Sequence, residues 1–124
     1  MDYVATEKAP KAIGPYSQAV RAGSVLYASG QIPIDPATGE LVGGDFATQA
    51  RRVFANLAAV LEAGGTDFQH VVKATVYLTS LGDFQTLNGI YAEHFGDHKP
   101  ARSTVGVAQL PKGATVEIDV VAVL

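Results

Sequence analysis

The spacing of apolar residues changes period several times along the chain, and each change marks an element. Ser17 to Arg21 and Val25 to Ser29 are short runs separated by Ala22-Gly23-Ser24, the pattern of strands joined by a tight turn. Ile13-Gly-Pro-Tyr16, ahead of them, is a turn signature. Residues 30–44 hold Pro33, Pro36, Gly39, Gly43 and Gly44 and read as an ordered loop. From there the period becomes helical, with Phe46, Ala50, Val53, Phe54, Leu57, Val60 and Leu61 forming an amphipathic stripe. Asp45 is the predicted N-cap of this helix and Gly64-Gly65 its predicted end.

A β-branched run from Val71 to Thr79 predicts a strand. Asp83 is placed to cap a second helix that runs to about Phe95, with Phe84, Leu87, Tyr91 and Phe95 on one face. Residues 101–109 and 115–124 predict two further strands. The order strand-strand-helix-strand-helix-strand-strand implies an α+β fold, a two-layer sandwich with two helices on one face of a mixed sheet. The unit 71–109 is expected to be a right-handed parallel crossover. There is no repeat, linker or low-complexity tract, and the chain reads as one domain over 1–124.

Alternation on the last two strands bears on chemistry. Arg102, Thr104 and Gly106 share one face, and Ser103, Val105 and Val107 the other; Glu117 and Asp119 lie opposite Val116, Ile118 and Val120. If the more apolar faces pack the helices, Arg102 and Glu117 both point to the uncovered face of the sheet, which a partner subunit would then cover. A simple hairpin about Pro111-Lys112 would put Glu117 near Gly106, on the order of 13 Å from Arg102. A site using both residues is therefore expected to form across a subunit boundary. An arginine keeps its charge and offers a planar fork of donors, which suits a small carboxylate.

Composition narrows the classes. The net charge is −3, and the nine Lys and Arg, scattered from Lys8 to Lys112, form no basic stripe of the kind that nucleic acid demands. The absence of cysteine removes disulfides and thiolate chemistry. His70, His94 and His98 do not form a metal-ligand pattern. No apolar run is long enough to span a membrane and the N-terminus has no signal-like apolar region, so a soluble, cytoplasmic protein is expected. Phe46, Phe54, Phe84 and Phe95 read as core residues, and Gly43-Gly44 is no phosphate loop.

Several motifs in order carry a resemblance: residues 9–19 (APKAIGPYSQA), 29–33 (SGQIP), 56–57, 61–65 (LEAGG) and 72–77 (VKATVY). Asp83-Phe84, Asn88, Tyr91, Phe95, Pro100-Ala-Arg-Ser103, Leu110-Pro-Lys-Gly113 and Val116-Glu-Ile118 complete the set. With these the chain resembles the YjgF/RidA family of reactive-intermediate (imine) deaminases over nearly its whole length. The resemblance implies a fold like that of small trimeric chorismate mutases, and a homotrimer with a site in each intersubunit cleft. It also implies hydrolysis of 2-imino and enamine acids, such as 2-aminoacrylate and 2-iminobutyrate, to 2-keto acid and ammonia without a cofactor. By the same resemblance Arg102 would bind the substrate carboxylate. Tyr16, Ser29, Asn88 and Glu117 would line the cleft, and Glu117 would position or activate water. Thr104 stands where the family often has cysteine, and its backbone N–H would still reach the ligand.

Plainer roles stand beside these: an interfacial ion pair for Arg102, an interfacial charge for Glu117, turn closure for Tyr16, a strand-end hydrogen bond for Ser29, and a capping or interface role for Asn88. The alternative activities are a trimeric keto- or amino-acid-binding regulator and, least in keeping with the acidic balance, RNA cleavage.

Overall fold

The structure, a computed structural model that describes all 124 residues, has eight principal elements: β1 (Asp2–Val4), β2 (Ala19–Ala22), β3 (Val25–Gln31), α1 (Phe46–Gly64), β4 (Val71–Leu78), α2 (Phe84–Phe95), β5 (Ala101–Gly106) and β6 (Val116–Val123). The strands form one six-stranded sheet in the order β1-β2-β3-β6-β4-β5. β4 and β5 pair in parallel through α2, and every other pairing is antiparallel, so the sheet is mixed. Both helices pack on the same face. The fold is α+β, as the order of elements predicts.

The caps explain where α1 begins and ends. The Asp45 carboxylate accepts from Thr48 N at 2.9 Å and from Thr48 Oγ1 at 2.8 Å, and these bonds hold its pKa below the ordinary aspartate value. Gly65 takes φ 89° at the C-terminus, a conformation that costs a side-chain-bearing residue energy, and its N–H returns to the Glu62 and Leu61 carbonyls. At α2 a 3₁₀ turn, Leu81–Asp83, precedes the helix, and the Asp83 side chain makes no capping bond. β1 has no counterpart in the sequence pattern, because three residues on a sheet edge are too few to show a period. β3 runs on to Gln31 through a register shift between Ala28 and Gln31, where a loop is predicted from residue 30.

The stripe predicted for α1 is buried: Ala50, Val53, Phe54, Leu57, Val60 and Leu61 are each 0% exposed. They meet Leu26, Val76, Leu78, Val116, Ile118 and Val120 from the sheet in one core cluster that also includes Leu87, Ile90 and Phe95 of α2. At roughly 1.5–3 kcal/mol for each large side chain, this burial is the main favourable term. Buried polar side chains tie the loop between β3 and α1 to the core. Asn56 Nδ2 donates to the Ile32 and Ile34 carbonyls at 3.3 and 2.9 Å, and Gln49 Nε2 donates to the Val42 carbonyl at 3.2 Å. The opposite face of the sheet carries no helix, and on it Tyr27, Val105 and Val123 are 52%, 40% and 37% exposed. No helix is long and apolar enough to cross a membrane.

Gly64 lets α1 lie close on β3, since a Cβ there would fall 2.7 and 2.8 Å from the two methyl carbons of the fully buried Leu26. Alanine normally gains about 1 kcal/mol over glycine inside a helix, but overpacking a closed core costs about 1–3 kcal/mol. Gly64→Ala is therefore expected to lower the denaturation midpoint, as read by urea unfolding, despite the better helix former.

Candidate active site

The candidate residues fall into two groups on opposite faces of the sheet. In the first, Arg102 lies beside Ala74 and Thr104 beside Val76 in the parallel β4–β5 ladder. Ala74 and Val76 are buried under the helices, so Arg102 and Thr104 point to the helix side. The Arg102 guanidinium carbon sits 4.8 Å from the Tyr91 ring centroid and 5.5 Å from that of Phe84. These rings come from one face of α2, and Asn88 lies between them on the same face. The guanidinium is half-buried and enters none of the ion pairs, which join Arg21 to Asp2, Arg51 to Glu93 and His70 to Asp67. Around it Asn88 Oδ1, Tyr91 Oη and Thr104 Oγ1 are buried without a hydrogen-bond partner. Each such atom costs about 1–3 kcal/mol, so the chain holds a cation and three polar groups that its own atoms leave unsatisfied. Burial raises the Tyr91 pKa, and the Arg102 charge works against that rise. The phenol is thus a neutral donor beside the guanidinium.

The second group centres on Glu117, which stands beside Tyr77 in the β4–β6 ladder, on the uncovered face. Its carboxylate turns toward the irregular stretch of β3. A methyl group at Gly30 would overlap Glu117 Oε2 and lie 2.9 Å from its Cδ, so glycine is what admits the carboxylate here. Burial, and then the charge of Asp119, raise the Glu117 pKa above the ordinary glutamate value. Gly30 also lines a small cleft with Lys11, Ile13 and Tyr16. Ser29 Oγ donates to the Ser17 carbonyl at 2.6 Å and Ser29 N to the Gln18 carbonyl at 2.9 Å. Ser29 thereby fixes the segment that carries Tyr16. Gln18 fastens the same segment further back: its Oε1 accepts from Thr6 N at 2.7 Å, and its Nε2 donates to the Thr6 and Pro10 carbonyls at 3.0 and 2.8 Å. The Tyr16 ring is 50% exposed.

Three expectations are corrected here. Arg102 and Glu117 do not share the uncovered face. The apolar-face rule fails on β5 because it is an edge strand: Val105 faces outward, 40% exposed, while the polar Arg102 and Thr104 turn inward. Phe84 is not a core residue but is 38% exposed, flanking Arg102. β5 and β6 are also no hairpin, since β4 lies between them. Glu117 stands level with Tyr77 and Arg102 with Ala74, so the two are about 10 Å apart across the strands and about 10 Å apart along them, on opposite faces. They cannot touch one small ligand within a protomer. The sequence reading gave no role in the site to Phe84, Tyr91 or Gly30. Tyr91 was legible as a member of the α2 stripe, but not as a ring over a cation.

The three histidines lie apart. His94 stacks on Phe54 at 4.5 Å, His98 Nε2 meets the Val71 carbonyl at 2.6 Å, and His70 Nδ1 meets Asp67 at 2.7 Å. No three His, Cys, Asp or Glu side chains come together in a metal-binding group.

Comparison with known proteins identifies the family and the fold. The profile of the family described as endoribonuclease L-PSP matches residues 6–124. A RutC family protein of Pyrococcus horikoshii is 52% identical over 121 residues, covering 98% of this chain and 96% of its own. A human protein named 2-iminobutanoate/2-iminopropanoate deaminase is 48% identical over 120 residues, covering 97% of this chain and 88% of its own. Among solved structures, Escherichia coli TdcF with bound serine superposes with a TM-score of 0.95 at 42% identity, covering 100% of this chain and 99% of that one. With its profile, its relatives and its fold in agreement, the chain belongs to the YjgF/RidA family, the group to which the endoribonuclease L-PSP profile corresponds.

Proposed function

We propose that the protein hydrolyses small 2-imino acids and their enamine tautomers to the 2-keto acid and ammonia, without a cofactor. The observation that carries this reading is Arg102: a half-buried guanidinium between two aromatic rings, with no acidic partner, among unpartnered polar atoms. Such a group binds a small carboxylate with two parallel charge-assisted hydrogen bonds and fixes its orientation. Asn88, Tyr91 and the Thr104 backbone are placed to take the remaining polar atoms of the ligand. Relatives named as deaminases of this substrate class, close to half identical in sequence, support the same chemistry.

The proton work falls to Glu117. The imine binds as the iminium ion, and water adds to its carbon as Glu117 takes a proton from the water. The C–O bond forms and the C=N bond becomes single. Glu117 then returns the proton to the amino nitrogen. C–N then breaks with its electron pair going to nitrogen, C=O forms, and the departing ammonia takes up the carbinol proton to leave as ammonium. The carboxylate ends as it began. A group that must both take and give a proton works best with a proton affinity near the working pH, and the raised Glu117 pKa is in that direction.

Arg102 and Glu117 lie on opposite faces of a sheet, so this chemistry needs two copies of the chain. The reading is a homotrimer in which the Arg102 side of one subunit meets the Glu117, Ser29 and Tyr16 side of its neighbour. The uncovered face with Tyr27, Val105 and Val123 supports burial against a partner. The partners proposed are small carboxylate-bearing imino and keto acids, with no nucleic acid and no membrane, in the cytoplasm. The serine bound to the TdcF structure favours one second reading, a small-acid-binding regulatory protein with weak catalysis.

A coupled assay tests the reading. Threonine dehydratase supplies 2-iminobutyrate, and the protein suppresses semicarbazone formation. Arg102→Ala is expected to lose suppression by on the order of 10²-fold or more, since charged hydrogen bonds contribute about 1.5–3 kcal/mol each. Arg102→Lys should lose most of it, because an ammonium cannot make the planar two-bond contact. Suppression equal to the parent in both variants would contradict the carboxylate anchor. No suppression by the parent, with 2-ketobutyrate still bound, would favour the regulator.

Glu117→Gln is expected to lower kcat by roughly 10²–10⁴-fold while 2-ketobutyrate affinity changes much less. In the parent, kcat should fall as the pH drops through the titration of Glu117, above the ordinary glutamate range, because burial and Asp119 raise it. Equal losses of kcat and affinity in the variant would make Glu117 a binding residue.

A further inference from the structure

Glu117 does not stand alone on the uncovered face. Asp119, two residues along β6, points the same way, and Tyr77 of β4 stands level with Glu117. Tyr77 Oη donates to Asp119 Oδ2 at 3.0 Å, so the Asp119 carboxylate is held rather than free to swing into solvent. The hydrogen bond spans two strands of a continuous ladder, which fixes both ends. We propose that the Tyr77–Asp119 pair is a positioning device that sets the proton affinity of Glu117 and thereby the pH range over which the site works. This rests on the reading of Glu117 as the proton carrier in imine hydrolysis.

Within one chain, the other groups around Glu117 leave Asp119 as its principal charged neighbour. On the β3 side it meets Gly30, which carries no charge. Beyond Gly30, the cleft is lined by Tyr16 and Lys11. On the β4 side are Tyr77 and, further along, Lys73, whose ammonium donates to Ser103 Oγ at 3.1 Å and pairs with neither carboxylate. Within one chain no cation forms an ion pair with Glu117 or Asp119, and the Arg102 that a neighbouring copy brings to the proposed site has its charge engaged by the substrate carboxylate. A fixed anion beside a half-buried carboxyl, with no cation of the same chain paired to either, favours the protonated form of that carboxyl. Burial and Asp119 both act on Glu117 in this direction, and the Tyr77 phenol, bonded to Asp119, is itself raised by burial and by that bond. The phenol thus stays a donor throughout the working range.

The arrangement suits a proton carrier that must protonate an amine. A glutamate ionised at all working pH values takes a proton from water reluctantly and returns it at little cost. A neighbouring anion improves the first step, and the Tyr77 bond keeps that anion in register.

The experiment is a carbon-13 NMR titration of glutamate side-chain carboxyls in the full chain, with Glu117 assigned by the resonance lost in Glu117→Gln. Kcat–pH profiles of the same proteins run alongside. Asp119→Asn is expected to move the Glu117 midpoint to lower pH and to carry the acid limb of kcat with it. At the pH where the parent runs at half its maximum, the variant then runs at a larger fraction of its own, by up to about twofold. Asp119→Glu, which keeps the charge, should restore most of the parent midpoint. Tyr77→Phe, which keeps the charge but frees its carrier, should move the midpoint the same way by less, and it serves as the test if Asp119→Asn does not fold. An unmoved Glu117 midpoint in Asp119→Asn, with the fold intact, overturns the proposal. A midpoint that moves in a protein without imine turnover supports the proposal and removes the deaminase reading instead.

Discussion

A cation held between two aromatic rings, with no carboxylate in reach, governs how the rest of the structure is understood. Arg102 gains from the Phe84 and Tyr91 ring faces, but a cation–π contact is worth about 0.5–2 kcal/mol and does not neutralise a half-buried charge. The three unpartnered polar atoms around it add to the cost. The chain therefore carries a local instability, which a small anion with further hydrogen-bonding atoms would relieve. The caps of α1, the close approach at Gly64 and the buried amides of Asn56 and Gln49 keep the surrounding scaffold rigid enough to maintain it.

The topology sets the second constraint. Because β4 lies between β5 and β6, the guanidinium and the Glu117 carboxylate are separated laterally as well as by the thickness of the sheet. On the proposed reading such a chain anchors an acid on one side and carries a proton on the other, but it cannot do both for the same molecule. Repeating the chain resolves this, and the uncovered face is where a neighbour can lie. The Tyr16 segment, held by Ser29 and Gln18, rims the Glu117 half of such a site.

Much of this was legible before the structure. Asp45 and Gly65 bound α1 because capping needs those residue types at those positions, and the α1 stripe is a clean helical period. The candidate residues could be named from motifs. Their placement could not, because an edge strand such as β5 has one neighbour instead of two, and its apolar side chains do not have to face the core. β1 was invisible for its shortness, and the 3₁₀ turn before α2 because Asp83 occupies the cap position without its side chain forming the bond. Gly30 falls within the SGQIP motif, but its physical meaning, the space it leaves for Glu117, shows only in the fold.

The claim that two copies build each site is tested most directly by mixing inactive subunits. Arg102→Ala chains keep Glu117, and Glu117→Gln chains keep Arg102, so only a site shared between the two kinds regains both groups. After joint unfolding and reassembly of an equal mixture, random pairing restores about a quarter of the parent imine turnover. A mixture that reassembles fully and stays as inactive as its separate components would show that each site belongs to a single chain, and would contradict the account.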